Sequence, residues 1–500
     1  MFQDEVLNPV DIDSCWKKEK SSREISSQTS ETLTNDSSVQ TSEAQEVGVQ
    51  TDEVKSKPLP LVVDDSQGLK DFLRRVEPLV TQQLQISNRS HAFDGYKVFW
   101  EEESKAVSCK HTLTEASLNN EYNCTGLSWN CSGSVLAVAY GKLDHQDWCS
   151  HKSYLCTWNL DRRSLDPSKA DLSIDVPSCL MCVAFHPEHP ALVAGGTFNG
   201  EVRIWNTSLE GDPLTASSGL SDLGHKEPIA ELSWILDEES RERRHLLLSL
   251  GNDGKVLVWA CEEGVRVVRA CRLLTESIPR SLRVSRAKGS TEVGGTCLSF
   301  SSEDKSLFVV GSENGGLFKC SMQASVSIGD TPIIESDLQS PIQFVFRPHH
   351  GPVYAISCSP FHRNLFLSCG TDGTARLYSQ LDASPVLSIE PGCGYLFSVR
   401  WSVTRPLVFA VGTGDGQLLI YDLKSSHIKP CVSLEASPQK KAVYSVAYNH
   451  KRPQFLASGD ACGVVKVWRL STQLTAVASN EVEQLNSLAT DTVAASTGTL

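Results

Sequence analysis

The 500-residue sequence predicts an all-β fold, a seven-bladed β-propeller with a disordered N-terminal arm and a short amphipathic helix. Three observations predict it. From about residue 122, a Gly in a polar turn followed five residues later by an aromatic recurs along the chain. Each copy follows two apolar runs rich in β-branched and small residues, which suit short antiparallel strands better than helices. Residues 1–65, by contrast, are rich in Ser, Thr, Glu, Asp and Gln with few aromatics. Such a segment cannot bury enough apolar surface to offset its conformational entropy.

Within this acidic arm, Val-Gln-Thr occurs twice about ten residues apart, as Val39-Gln40-Thr41 and Val49-Gln50-Thr51, and Gln28-Thr29 lies upstream. In an extended chain Val39 and Thr41 face one way and Gln40 the other. That suits strand addition to a partner's open sheet edge, where backbone bonds supply affinity and alternate side chains supply specificity. One such peptide binds weakly, but tandem copies on a dimeric receptor raise avidity roughly 10²–10⁴-fold.

Residues 66–88 follow as an amphipathic helix, with Leu69, Phe72, Leu73, Val76, Val80 and Leu84 at three- and four-residue steps. Ser66 is a suitable N-cap. Pro78 predicts a kink, or a restart as the first residue of a second helix.

The propeller is expected over 90–471. Its repeated turn-strand unit ends at Trp205, Trp259, Tyr378, Tyr421 and Trp468, each five residues after Gly200, Gly254, Gly373, Gly416 or Gly463. A degenerate copy runs from Gly315 to Cys320, and another from Ser153 to Trp158, making seven. The turn Gly permits positive φ in a tight hairpin, often beside Asp or Asn (Asn199, Asp253, Asp372, Asp415). The last blade ends near Leu470 without an outer strand, and a propeller must close or leave an edge open. "FDGYKVFW" and "AVSCKHTL", within about 93–113, can supply that strand from the N-terminal side. Residues 472–500 read as a flexible tail.

No catalytic constellation is present in the sequence. The net charge of −14, without a basic block, argues against nucleic acid and against direct membrane contact. No apolar run approaches the ~20 residues needed to span a bilayer. The 17 cysteines are scattered through strand-like runs, as small buried hydrophobes in a cytosol-like compartment. The one C-x-x-C, Cys179 to Cys182, lacks a second pair and lies where a strand should point its sulfurs apart. "GTGDG" at 412–416 joins two strands, so no helix N-terminus is there to hold phosphate. His350 and His362 have no partner at metal-ligand or triad spacing. The expectation is no enzyme, no cofactor and no metal.

The repeats resemble WD repeats. The third blade is nearest that pattern, with Gly224-His225, Ser249, Asp253 and Trp259, which in that family form a hydrogen-bond network within a blade. The Asp after the aromatic is retained only at Tyr421-Asp422. Gln-Thr words, an apolar helix and a seven-bladed propeller together resemble a dynein intermediate chain. "SPFHRNLFLSCGTDG" and "VRWSVTRPLVFAVGTGDG" resemble that family's fifth and sixth blades. "SHAFDGYKVFW", "AYGKLDHQDW" and "NLDRRSL" are similar to its cytoplasmic dynein-2 branch, to the smaller of two intermediate chains in intraflagellar transport.

The resemblance implies a non-catalytic motor subunit for retrograde intraflagellar transport and cilium assembly. Its partners would be the dynein-2 heavy chain, held by the propeller, and the second dynein-2 intermediate chain. Hub-type and roadblock-type dynein light chains, with a Tctex-type chain as a further candidate, would bind the N-terminal region. The hub light chain would take Val39, Gln40 and Thr41 and, as a fuller Gly-Val-Gln-Thr-Asp match, Val47, Gly48, Val49, Gln50, Thr51 and Asp52. The roadblock chain would take the Leu69–Leu84 stripe. Location would be cytoplasm, cytoskeleton, cilium and its base, including centrosome, basal body and axoneme.

Other readings stay open at this point. Gln-Thr pairs can arise by chance in such a composition, and the helix could pack on its own propeller. WD propellers also serve as substrate receptors of ubiquitin ligases, although Trp158-Asn159-Leu160-Asp161 and Trp205-Asn206-Thr207-Ser208 lack the arginine those receptors often carry. A propeller enzyme is a third class, which nucleotide or metal binding would reveal.

Overall fold

The computed structural model describes residues 66–89, 106–118, 121–145, 148–237, 244–262, 264–282, 292–328, 337–477 and 480–497. The chain divides into two units, 1–99 and 100–500. In the first, α1 (Ser66–Arg89) is a single helix with Pro78 inside it, not a pair restarting at the proline. The arm's Val39–Thr41 and Val47–Asp52, together with "FDGYKVFW", lie outside the described residues.

In the second unit, seven antiparallel sheets form the blades of a propeller. They span 123–176, 180–217, 229–272, 295–345, 353–389, 396–435 and 443–470, called here blades 1 to 7. Inner strands of successive blades touch, and that of blade 7 meets that of blade 1, so the ring closes. Blade 3 gains a fifth, edge strand, Val326–Ser327, which pairs with Arg266–Arg272.

The outer strand of blade 7 is Val107–Leu113. It pairs antiparallel with Val465–Leu470, from Val107↔Leu470 to Leu113↔Val465, with a bulge between Cys109 and His111. This covers an edge that would otherwise offer unpaired N–H and C=O groups. The seam between blades 7 and 1 is further tied by Trp129 Nε1–H to the Ala447 carbonyl (3.0 Å) and Asn449 Nδ2–H to the Gly133 carbonyl (2.8 Å).

The turn glycines explain the repeat. Gly200, Gly254, Gly315, Gly373, Gly416 and Gly463 all have φ between 71° and 84°, in the left-handed region. Space is as restrictive as φ: a Cβ on Gly200 would meet the His225 carbonyl oxygen at 2.4 Å, and one on Gly315 that of His349 at 2.4 Å. Five residues on stand Trp205, Trp259, Cys320, Tyr378, Tyr421 and Trp468, and in blade 1, whose unit starts at Ser153, Trp158; all are buried.

The tail differs from the flexible segment expected. It forms α2 (Thr472–Thr475) and α3 (Glu481–Thr497), both docked on the propeller. Leu474 packs with Tyr448 and Trp468, and Leu485 and Ala489 pack with the core of blades 5 and 6. Glu481, fully buried, accepts from Arg405 through both carboxylate oxygens (Nε to Oε2, 2.9 Å), and Arg405 also donates to Asp422 (3.1 Å). A planar guanidinium with these acceptors holds the first turn of α3 in place.

Candidate docking surfaces

The apolar stripe of α1 is open. Leu69, Phe72, Leu73, Val80 and Leu84 are 47–58% exposed, and Val76 is half-buried. Arg75 lies over the Phe72 ring at 5.9 Å, and Arg74 reaches Asp71 at 4.0 Å. Both charges are solvated, so neither contact contributes much. What the helix offers is five large hydrophobic side chains on one side, the form in which an amphipathic helix enters a groove.

On the propeller, the second residue of the inner strand is aromatic in blades 5, 6 and 7: Tyr354, Phe397 and Tyr444. Equal register places all three at the same end of the sheets. Phe397 contacts Tyr354 (4.9 Å between ring centroids) and Tyr444 (5.0 Å), and Tyr395 joins at 6.4 Å. Tyr354 and Tyr395 are exposed, so this end carries an aromatic rim. Below it runs a central channel of about 790 Å³. Glu231 of blade 3 and Arg400 of blade 6 reach across the channel (3.3 Å), and Glu231 also accepts the Leu298 N–H (2.8 Å). Their charges satisfy each other.

The blades are locked from within by polar networks. In blade 3, His225 Nδ1–H donates to Asp253 (3.0 Å), Ser249 Oγ–H donates to His225 Nε2 (2.7 Å), and Trp259 Nε1–H donates to Ser249 (2.7 Å). Burial pushes the Asp253 carboxyl up. His225 and the backbone N–H groups of Lys226 and Lys255 outweigh this and hold it below the usual carboxylate range. Blade 5 repeats the arrangement with His349, Asp372 and Ser368, while Tyr378 donates instead to the Arg347 carbonyl (2.7 Å). His349 is the neighbour of His350, which the sequence pattern singles out in place of it. The signal that finds His349 is its place opposite a strand Ser and a turn Asp, as His225 is placed.

Where Ser249 would recur, blade 1 has Val138 and blade 2 has Gly195, by register. Trp158 Nε1 accordingly has no hydrogen-bond partner among the described residues. The six aromatic positions expected from sequence therefore act in packing, two of them with a bonded serine: Trp259, and Trp468 through Ser458 (2.8 Å).

Outside the loop that carries Cys149, the buried thiols sit as small hydrophobes. The 16 described cysteines are free, and burial pushes Cys271 up to about 12. Cys179 Sγ donates to the Lys142 carbonyl and Cys182 Sγ to that of Ile229, so the C-x-x-C sulfurs diverge. A different cluster, which the sequence reasoning missed, is His145, Cys149 and His151 in blade 1. Their ligating atoms lie within 4.8 Å of one another.

Similarity to known proteins gives the chain's family. Residues 293–470 match the family model described as the dynein axonemal intermediate chain 3 WD40 domain, and residues 175–206 match the WD domain, G-beta repeat. The mouse protein named cytoplasmic dynein 2 intermediate chain 2 is 44% identical over 495 residues, covering 97% of this chain and 92% of its own. The chain belongs to the dynein intermediate chain family. The human protein of the same name is 44% identical over 437 residues, covering 86% of this chain and 81% of its own. A Chlamydomonas reinhardtii flagellar outer-arm dynein 70 kDa intermediate chain is 25% identical over 433 residues, covering 84% and 70%. Membership implies association with dynein complexes, in a family whose WD propellers are typically non-catalytic.

Proposed function

We propose that this chain is the intermediate chain of a dynein-2-type motor, and that it assembles the motor's subunits and performs no chemistry itself. Its arm binds a dimeric hub light chain through Val39–Thr41 and Val47–Asp52, the second copy being the stronger. The stripe of α1 docks a roadblock-type light chain, and the propeller grips the heavy-chain tail beside the second intermediate chain. The complex serves retrograde transport in the cilium and is found at its base, on the axoneme and in the cytoplasm.

The observation that carries this reading is the open apolar stripe of α1. Large hydrophobics exposed along one helix are a liability unless covered. Partner recovery from a tagged full-length chain tests it. Phe72, Leu73 and Val76 changed together to Asp should abolish roadblock light-chain recovery and leave the propeller's melting unchanged. Ala at Gln40, Thr41, Gln50 and Thr51 should lower hub light-chain recovery at least about tenfold, as avidity is lost. Unchanged recovery in either case contradicts that assignment. The rival reading, a ubiquitin-ligase substrate receptor, predicts a ligase adaptor in the same eluates.

A further inference from the structure

Blade 1 departs from the other six at one place. The connection between its second and third strands, Val135–Gly141 and Ser153–Asn159, is eleven residues long, 142–152. The corresponding connection in every other blade has three or four residues, built round the left-handed Gly. The long loop holds His145, Cys149 and His151, three donors at H-x3-C-x-H spacing.

The loop is fastened to the neighbouring blade at the cysteine. Asn199, from the equivalent turn of blade 2, accepts the Cys149 N–H (3.0 Å) and donates to its carbonyl (3.0 Å). Cys149 is buried, and its sulfur accepts the Cys179 N–H (3.1 Å). The Phe198 ring rests against His145 at 4.4 Å and restricts its imidazole. Both nitrogens of that imidazole are closed off from solvent, and the Lys142 backbone carbonyl lies within hydrogen-bonding reach of the ring. A metal-ligating imidazole ordinarily donates its other ring N–H to such a carbonyl, which leaves the second nitrogen for a cation shared with the adjacent Cys149 and His151.

We propose that His145, Cys149 and His151 form a three-donor zinc site. Two imidazoles and one thiolate suit a borderline cation such as Zn²⁺ and do not suit Mg²⁺ or Ca²⁺. His151 is exposed, so the fourth tetrahedral position opens to solvent and takes a water. On binding, the Cys149 S–H bond breaks, the sulfur–zinc bond forms and the proton leaves to solvent. The thiol's donation to the His151 carbonyl (3.7 Å) is given up, and no oxidation is involved. The metal replaces the tight glycine turn that blade 1 lacks and stiffens a loop on the same face as the aromatic rim.

The full-length chain, stripped with chelator under reducing conditions and titrated with Co²⁺, tests this. The expected result is one equivalent bound with a thiolate-to-cobalt charge-transfer band, displaced by one equivalent of Zn²⁺. Cys149→Ser should abolish the band. His151→Ala changes an exposed side chain and should leave the circular dichroism unchanged while weakening Co²⁺ binding at least tenfold. No band in the unmodified chain overturns the proposal. So does a band undiminished in Cys149→Ser, which would place the metal on others of the 17 cysteines, or undiminished affinity in folded His151→Ala.

Discussion

His186 shows how one side chain sets a property of the fold. It follows the inner strand of blade 2, and its Nδ1 accepts the N–H of Glu188 (3.1 Å) and of His189 (3.0 Å). Asn449 occupies the same place in blade 7, and its Oδ1 accepts from Lys451 and Arg452. An imidazole can do this only when Nδ1 is unprotonated. Burial first, then His245 and His189, hold the His186 pKa at about 4, against an ordinary 6.5. The unfolded chain therefore binds the proton more readily. The stabilisation is fully present above pH 6.5 and is lost as pH falls from there toward 4. His186→Asn should keep the turn at pH 7 and reduce the fall in melting temperature between pH 7 and pH 5 by about 2 °C. An identical fall in both proteins would mean that His186 is not the sensor.

Among the elements, the docked tail and the closing strand contrast in how legible they were. The edge left open after Leu470 requires a partner, and topology restricts the candidates to chain outside the repeats, among them "AVSCKHTL", which supplies the strand. The tail gave no such demand. Its anchors are Leu474, Leu485 and Ala489 plus one buried glutamate, too sparse a pattern to distinguish from a polar tail. The decisive group, Arg405, lies some seventy residues away in sequence. Breaking a buried pair by removing one partner leaves an uncompensated charge. Glu481→Ala should therefore cost about 3 kcal/mol in denaturant unfolding. Glu483→Ala, exposed in the same turn, should cost less than about 0.5 kcal/mol. Equal effects would show that α3 is not anchored by the pair.

Across the whole molecule, strand alternation gives the propeller two unlike ends. One carries the glycine turns, the aromatic rim of Tyr354, Phe397 and Tyr444, and the His145–Cys149–His151 loop. The other carries the turn with Arg405, to which the tail helices are tied. Seven blades were legible because glycine geometry and the buried aromatic repeat in nearly every copy. The contents of the ends were less so, because side chains meet there across blades: Asn199 with Cys149, Glu231 with Arg400. The Arg405–Glu481 anchor and the open α1 stripe divide the chain's surfaces into one committed internally and one left for a partner. Quantitative mass spectrometry of proteins co-purifying with the tagged full-length chain from ciliated cells decides whether it works as a dynein subunit. The account predicts a dynein heavy chain, a second intermediate chain and hub and roadblock light chains at near-stoichiometric levels; ubiquitin-ligase adaptors in their place, or no dynein subunit at all, would contradict it.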